Sequence, residues 1–67
     1  MINTIRKTPP TPREREVILL IRRGLLNKQI AHVLNIAEGT VKVHVKNINR
    51  KYGLHNRLQI ALMFTRT

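Results

Sequence analysis

This chain of 67 residues contains no cysteine and no tryptophan, one tyrosine, one phenylalanine, three glycines, three prolines and three acidic residues. Each shortage removes a class of explanation. Without cysteine there is no disulfide to staple so short a chain and no thiolate for a zinc site, so folding must rest on helix packing, aided by self-association. Tyr52 and Phe64 are the only aromatics, and both are predicted buried, whereas readers of single-stranded RNA need exposed rings for stacking. No apolar run approaches the roughly 20 residues that span a bilayer. The opening Met1-Ile2-Asn3-Thr4 lacks the layout of a signal peptide, and the protein is expected to be soluble and intracellular. His32, His44 and His55 have no metal-ligand spacing with one another or with Glu14, Glu16 and Glu38. No glycine-rich phosphate loop occurs either. Enzymatic activity, metal sites and cofactors are therefore not expected.

What the chain does hold is cationic charge. Thirteen Lys and Arg residues against three acids give a formal charge of +10, which attracts polyanions and steers their approach. Nucleic acid is the first candidate partner. An anionic membrane surface is the second.

Residues 1–10 carry Arg6, Lys7, Pro9 and Pro10 without sustained periodicity and read as a basic, flexible, mostly extended arm or linker stub, ahead of one domain over 11–67. Thr11-Pro12-Arg13-Glu14 combines an N-cap hydroxyl, proline at the first helical position and a glutamate able to reach back to the cap. The helix begun there buries Val17, Leu20 and Ile21 and stops at Gly24. Asn27 is the expected cap of a short second helix that packs Ile30, Ala31, Val33 and Leu34 inward and ends near Asn35, with Ile36 plugging the corner. A third helix starts between Ala37 and Gly39 and runs to about Tyr52, with Gly53 as terminator. Asn56 and Gln59 repeat the cap pairing for a fourth helix, about Arg57 to Thr65. The expected fold is all-α, a four-helix bundle in which helices two and three form a helix-turn-helix.

The third helix is two-faced. Val41, Val45, Ile48 and Tyr52 share one side, and Lys42, Val43, Lys46 and Arg50 fall roughly opposite. From Thr40 onward this helix has no acid. A major groove about 12 Å wide accepts one α-helix, so Lys42 and Lys46 can reach guanine edges or phosphates and Val43 a thymine methyl. Lys28, Thr40 and Arg50 more naturally meet phosphate oxygens. In the fourth helix Leu58, Ala61 and Leu62 cover one side and Ile60, Met63 and Phe64 another. A surface helix of a small domain needs one apolar stripe. The second, taken as Ile60, Met63 and Phe64, is the expected surface of a two-fold homodimer that places two reading helices a DNA turn apart on an inverted repeat.

Thr11-Pro12-Arg13-Glu14-Arg15-Glu16-Val17, Asn27-Lys28-Gln29-Ile30-Ala31, Thr40-Val41-Lys42-Val43-His44-Val45-Lys46, and Asn56-Arg57 with Ala61 together resemble the LuxR/FixJ-type DNA-binding domain over about residues 11–65. The resemblance implies a four-helix output domain, its third helix in the major groove, its fourth at a dimer surface, and a role in transcriptional control. It carries Lys42, Val43 and Lys46 onto base-facing positions and Thr40 and Lys28 onto backbone-contacting ones. Glu14 and Glu16 match an acidic pair that caps and orients basic side chains. Leu26 departs from a usual small polar residue and Ala37 from a usual serine cap. Leu19, on a position usually polar, is expected to face outward, where it could dock a sensor domain or partner. The partners implied are double-stranded DNA, a second copy of the chain, and RNA polymerase or a full-length regulator of the same type. The alternative expectation is a small interaction protein that pairs with, and modulates, such a full-length relative. Either the chain acts alone or a sensor domain preceded residue 10.

Overall fold

The start signal at Thr11 operates as its chemistry requires. In the computed structural model, which describes residues 8–63, the Glu14 amide donates to Thr11 Oγ1 at 3.1 Å and the Thr11 amide donates to Glu14 Oε1 at 2.9 Å. That reciprocal pair opens α1, Pro12–Arg22. Gly24 closes it at φ 87°, a left-handed conformation that glycine adopts without a Cβ clash. The Gly24 amide returns to the Ile21 carbonyl and the Leu25 amide to the Leu20 carbonyl, which satisfies two carbonyls left open at the helix end.

The next helices are α2, Asn27–Leu34, and α3, Glu38–Tyr52. The left-handed Asn35, φ 58°, turns the chain between them, and the Ile36 amide donates to the Ala31 carbonyl at 3.0 Å. At the far end of α3, Gly53 takes φ 66° and the Leu54 amide donates to the Asn49 carbonyl. The last helix is α4, Arg57–Met63. Its cap is Asn56, whose Oδ1 accepts from the Gln59 amide at 2.9 Å. Gln59 reaches back one residue further than a simple cap pair, to the His55 amide.

The chain is thus an all-α bundle of four helices among the described residues, with one shared core. Val17, Ile18, Leu20 and Ile21 of α1 meet Ile30 and Ala31 of α2, Val41, Ile48 and Tyr52 of α3, and Ile60 of α4. No helix among the described residues is long and apolar enough to cross a membrane.

Four expectations need correction. Asn27 does not cap α2: Leu26 holds the cap position, with extended backbone and no side-chain bond, and Gln29 Oε1 accepts from its amide at 2.7 Å. The Asn27 oxygen is taken by a residue 30 positions away, since Arg57 Nη1 donates to Asn27 Oδ1 at 2.8 Å while Arg57 Nη2 donates to the Leu25 carbonyl at 2.9 Å. Val33, expected inward, is 56% exposed. Ile60 is fully buried, so it belongs to the core and not to an outward dimer stripe; the exposed apolar residues of α4 are Leu58 and Leu62. Finally, the end of the expected arm is fastened. Tyr52 Oη donates to the Thr8 carbonyl at 2.8 Å, Lys51 Nζ to the Pro9 carbonyl at 3.0 Å, and Arg15 to the Pro10 carbonyl. The remainder of that arm, through Lys7, lies outside the described residues, as does Phe64.

Candidate nucleic-acid interface

Burial fixes which way α3 faces. Val41, Ile48 and Tyr52 are packed in the core, and at 3.6 residues per turn the opposite side of the helix is occupied by Val43, Lys46 and Arg50. All three are exposed, as are Lys42 on one flank and Thr40 on the other. The expected reading residues therefore do share an accessible surface. Val43 keeps 54% of its surface open, an apolar residue between cations that the fold leaves uncovered. The only acid on α3 is Glu38, in its first turn. Lys28 is exposed in the first turn of α2, the helix that precedes α3.

Asn47 is a residue the sequence reading passed over. It is exposed between Val43 and Arg50, and its amide can donate and accept at once, which suits a base edge or a phosphate. Its only signal in the sequence was position, one turn beyond Val43, and the attention paid to charge hid it.

The front of α3 is open and its back is clamped. Ala37 has the extended geometry of an N-cap but no side-chain acceptor; its carbonyl accepts from the Thr40 and Val41 amides at 3.0 and 3.2 Å, and it offers no side-chain bond to the first turn. At the other end Lys51 donates to Glu14 Oε1 at 2.8 Å, with side chains 20% and 12% exposed, and also to the Pro9 carbonyl. Partial burial pushes the Glu14 carboxyl up, but the bonds from Lys51 and from the Thr11 amide, with the Lys51 charge, outweigh it and hold its pKa below the ordinary carboxylate value. The bond to Glu14 raises the Lys51 ammonium against a smaller opposing effect of desolvation. Burial likewise raises the Tyr52 phenol. Glu14 thus serves as cap of α1 and as anchor of α3, while Glu16 pairs with Arg13 at 3.1 Å.

Arg57 performs the matching task for the other half of the motif. Its two bonds tie the turn before α2 to the start of α4. The start of α2 is thereby fastened to α4 and the end of α3 to α1. No group of three or more potential metal ligands occurs among the described residues.

Comparison with known proteins agrees with this geometry. Residues 10–64 match the GerE family, the bacterial regulatory proteins of the luxR family. The nitrate/nitrite response regulator protein NarL of Escherichia coli is 52% identical over 52 residues, covering 78% of this chain and 24% of that protein. NarP, the nitrate/nitrite response regulator of the same organism, is 48% identical over 54 residues, covering 81% and 25%. The HTH-type transcriptional regulator MalT of Vibrio cholerae is 43% identical over 53 residues, covering 79% of this chain and 6% of that protein. The chain spans about a quarter or less of the length of these relatives. With the helix-turn-helix and its cationic outer face in place, this chain belongs to the luxR family of bacterial regulatory proteins, as a helix-turn-helix DNA-binding domain.

Proposed function

We propose that the protein regulates transcription by binding inverted-repeat sites as a homodimer, with α3 in the major groove. Lys42, Val43 and Lys46 face base edges, and Lys28, Thr40 and Arg50 hold phosphates. The observation that carries this reading is the exposed outer side of α3, which has cations around an open valine and no acid beyond Glu38. Phosphate neutralisation releases counterions and supplies most of the affinity. The reading residues then choose among sequences.

The dimer surface of this reading is the outward side of α4. Leu58 and Leu62 are 65% and 63% exposed, and Leu26 beside them is 65% exposed. Leu26 and Leu58 border a groove of about 450 Å³ floored by Ile21, Leu25 and Ala61. Three uncovered leucines on so small a domain support a protein contact, and a two-fold pairing there sets two copies of α3 about one DNA turn apart. Met63, expected on the dimer stripe, is half-buried and packs against the core. RNA polymerase is the further partner of the proposal. The same leucines support the alternative, pairing with a full-length relative. An equal-footing test is light scattering of the protein alone, which yields a dimer for the first reading and a monomer for the second.

The base-reading assignment is tested by measuring Lys46→Ala and Lys28→Ala on cognate and random duplexes across a salt series. Lys46→Ala is expected to weaken cognate binding more than random binding, by about 1–3 kcal/mol. Lys28→Ala is expected to weaken both alike and to reduce the log–log salt slope by about 0.9. Identical behaviour of the two variants would show that Lys46 reads no base.

A further inference from the structure

The outer side of α1 is cationic, partly apolar and turned away from the core that α3 shares. Leu19 is 44% exposed. Arg15 stands four residues before it and Arg22 three after, so on a helix the two guanidinium groups flank the leucine along one side. Ile18 and Pro10 complete a groove of about 390 Å³ around it, with Glu16 at the rim. Glu16 is occupied by Arg13. Among the described residues the one hydrogen bond of the Arg15 side chain is that to the Pro10 carbonyl, at 3.4 Å. The side chains of Arg22 and of the neighbouring Arg23 have no hydrogen bond or ion pair among the described residues.

We infer that this groove is a docking site for an acidic protein segment, a short helix carrying one large apolar side chain with carboxylates about one turn to either side of it. The apolar residue enters beside Leu19 and Ile18, and the carboxylates meet Arg15 and Arg22, which stand roughly 10 Å apart along α1. Guanidinium is suited to this task because its planar fork takes a carboxylate with two parallel bonds.

Charge and shape exclude the other occupants. Residues 1–7 of the chain itself hold Arg6 and Lys7 and no acid, and are repelled by the same arginines. A DNA backbone would use the cations but gains nothing from a leucine in a hollow between them. A membrane surface takes a broad apolar face, and here one leucine is open among cations. The inference is independent of the DNA-reading residues, since α1 presents its buried side to α3 and its outer side elsewhere.

The test is a titration of the labelled protein, followed by amide chemical shifts, with three acetylated helical peptides. One carries a central phenylalanine with glutamates three and four residues to each side; the second has lysines for the glutamates; the third has alanine for the phenylalanine. Only the first is expected to bind, with shifts at Arg15, Leu19 and Arg22. Leu19→Ser should lower its affinity by about 10-fold, comparable to losing an interface anchor. Arg15→Glu with Arg22→Glu should transfer binding to the lysine peptide, a gain that a misfolded variant cannot show. Leu19→Ser should leave DNA affinity unchanged. Shifts confined to the outer side of α3 would mean the peptide merely mimics DNA and would overturn the inference. So would equal binding of the alanine peptide, the absence of any shift, or binding to phosphatidylglycerol vesicles that Leu19→Ser abolishes while no peptide binds.

Discussion

Arg57 is the side chain whose removal should cost this domain most for its exposure. It is half-buried and donates to two neutral oxygens, Asn27 Oδ1 at 2.8 Å and the Leu25 carbonyl at 2.9 Å. A bond from a charged donor contributes about 1.5–3 kcal/mol when buried. At a half-exposed site water replaces part of each bond, so Arg57→Ala should lose about 2 kcal/mol in total. A domain of this size has only about 3–10 kcal/mol to lose. At about 4–8 °C per kcal/mol the midpoint should fall by about 8–16 °C. Thermal and urea denaturation of Arg57→Ala, Asn27→Ala and the double variant would separate the pair from its surroundings. The cycle should return a coupling of about 1 kcal/mol. Arg57→Lys should recover only part of the loss, because a single ammonium does not reproduce the planar fork. A change below about 0.5 kcal/mol, the range of ordinary surface substitutions, or additive single variants would refute the claim that this residue fastens α2 to α4.

Three other outcomes follow from the same geometry. Ala37→Ser places an acceptor on a residue whose φ −71° and ψ 149° already suit a cap, and should raise stability by about 1 kcal/mol in a melting experiment; no gain would mean the first turn of α3 is satisfied in another way. Ile60→Ala should destabilise by about 2–5 kcal/mol as a cavity in the core, while Leu58→Glu should keep the fold and reduce the proposed dimer to monomer by light scattering; the opposite pattern would restore Ile60 to the outer surface. The Glu14 carboxyl titrates below its ordinary value of 4.5 in the folded chain, so its contribution is fully present above that unfolded value and is lost as pH falls through the lower folded one. Denaturation of Glu14→Gln between neutral and strongly acid pH should therefore show a shallower loss of stability than the parent chain, and parallel curves would mean Glu14 is not anchored.

Much of this fold was legible because its boundaries are written in local chemistry. Thr11 with Glu14, the glycines at 24 and 53, and Asn56 with Gln59 mark helix ends through bonds that span a few residues. The errors arose where a distant residue decided the outcome. Asparagine is a far better cap than leucine, yet Asn27 is drawn off by Arg57, 30 positions later, and the cap moves to Leu26. In α4 both sides are apolar, and periodicity cannot tell which side α1 will cover; packing buried Ile60 and left Leu58 and Leu62 open. Val33 failed for the same reason, since a short helix with apolar residues on two sides has no single inward direction. Two prolines made Thr8 to Pro10 read as extended, but nothing local announced that Tyr52 and Lys51 would hold their carbonyls. That α3 exposes a cationic side was legible in the spacing of Lys42, Lys46 and Arg50. Asn47 was not, because position without charge gives a weak signal.

The most direct test of the central claim is selection of bound sequences from a random duplex library at near-physiological salt, since affinity without a stated salt concentration says nothing about specificity. An enriched inverted repeat, with half-sites centred about one helical turn apart, is the expected result. A library that emerges without an enriched motif, or with a lone half-site, would contradict a self-sufficient dimer that reads DNA through Lys42, Val43 and Lys46.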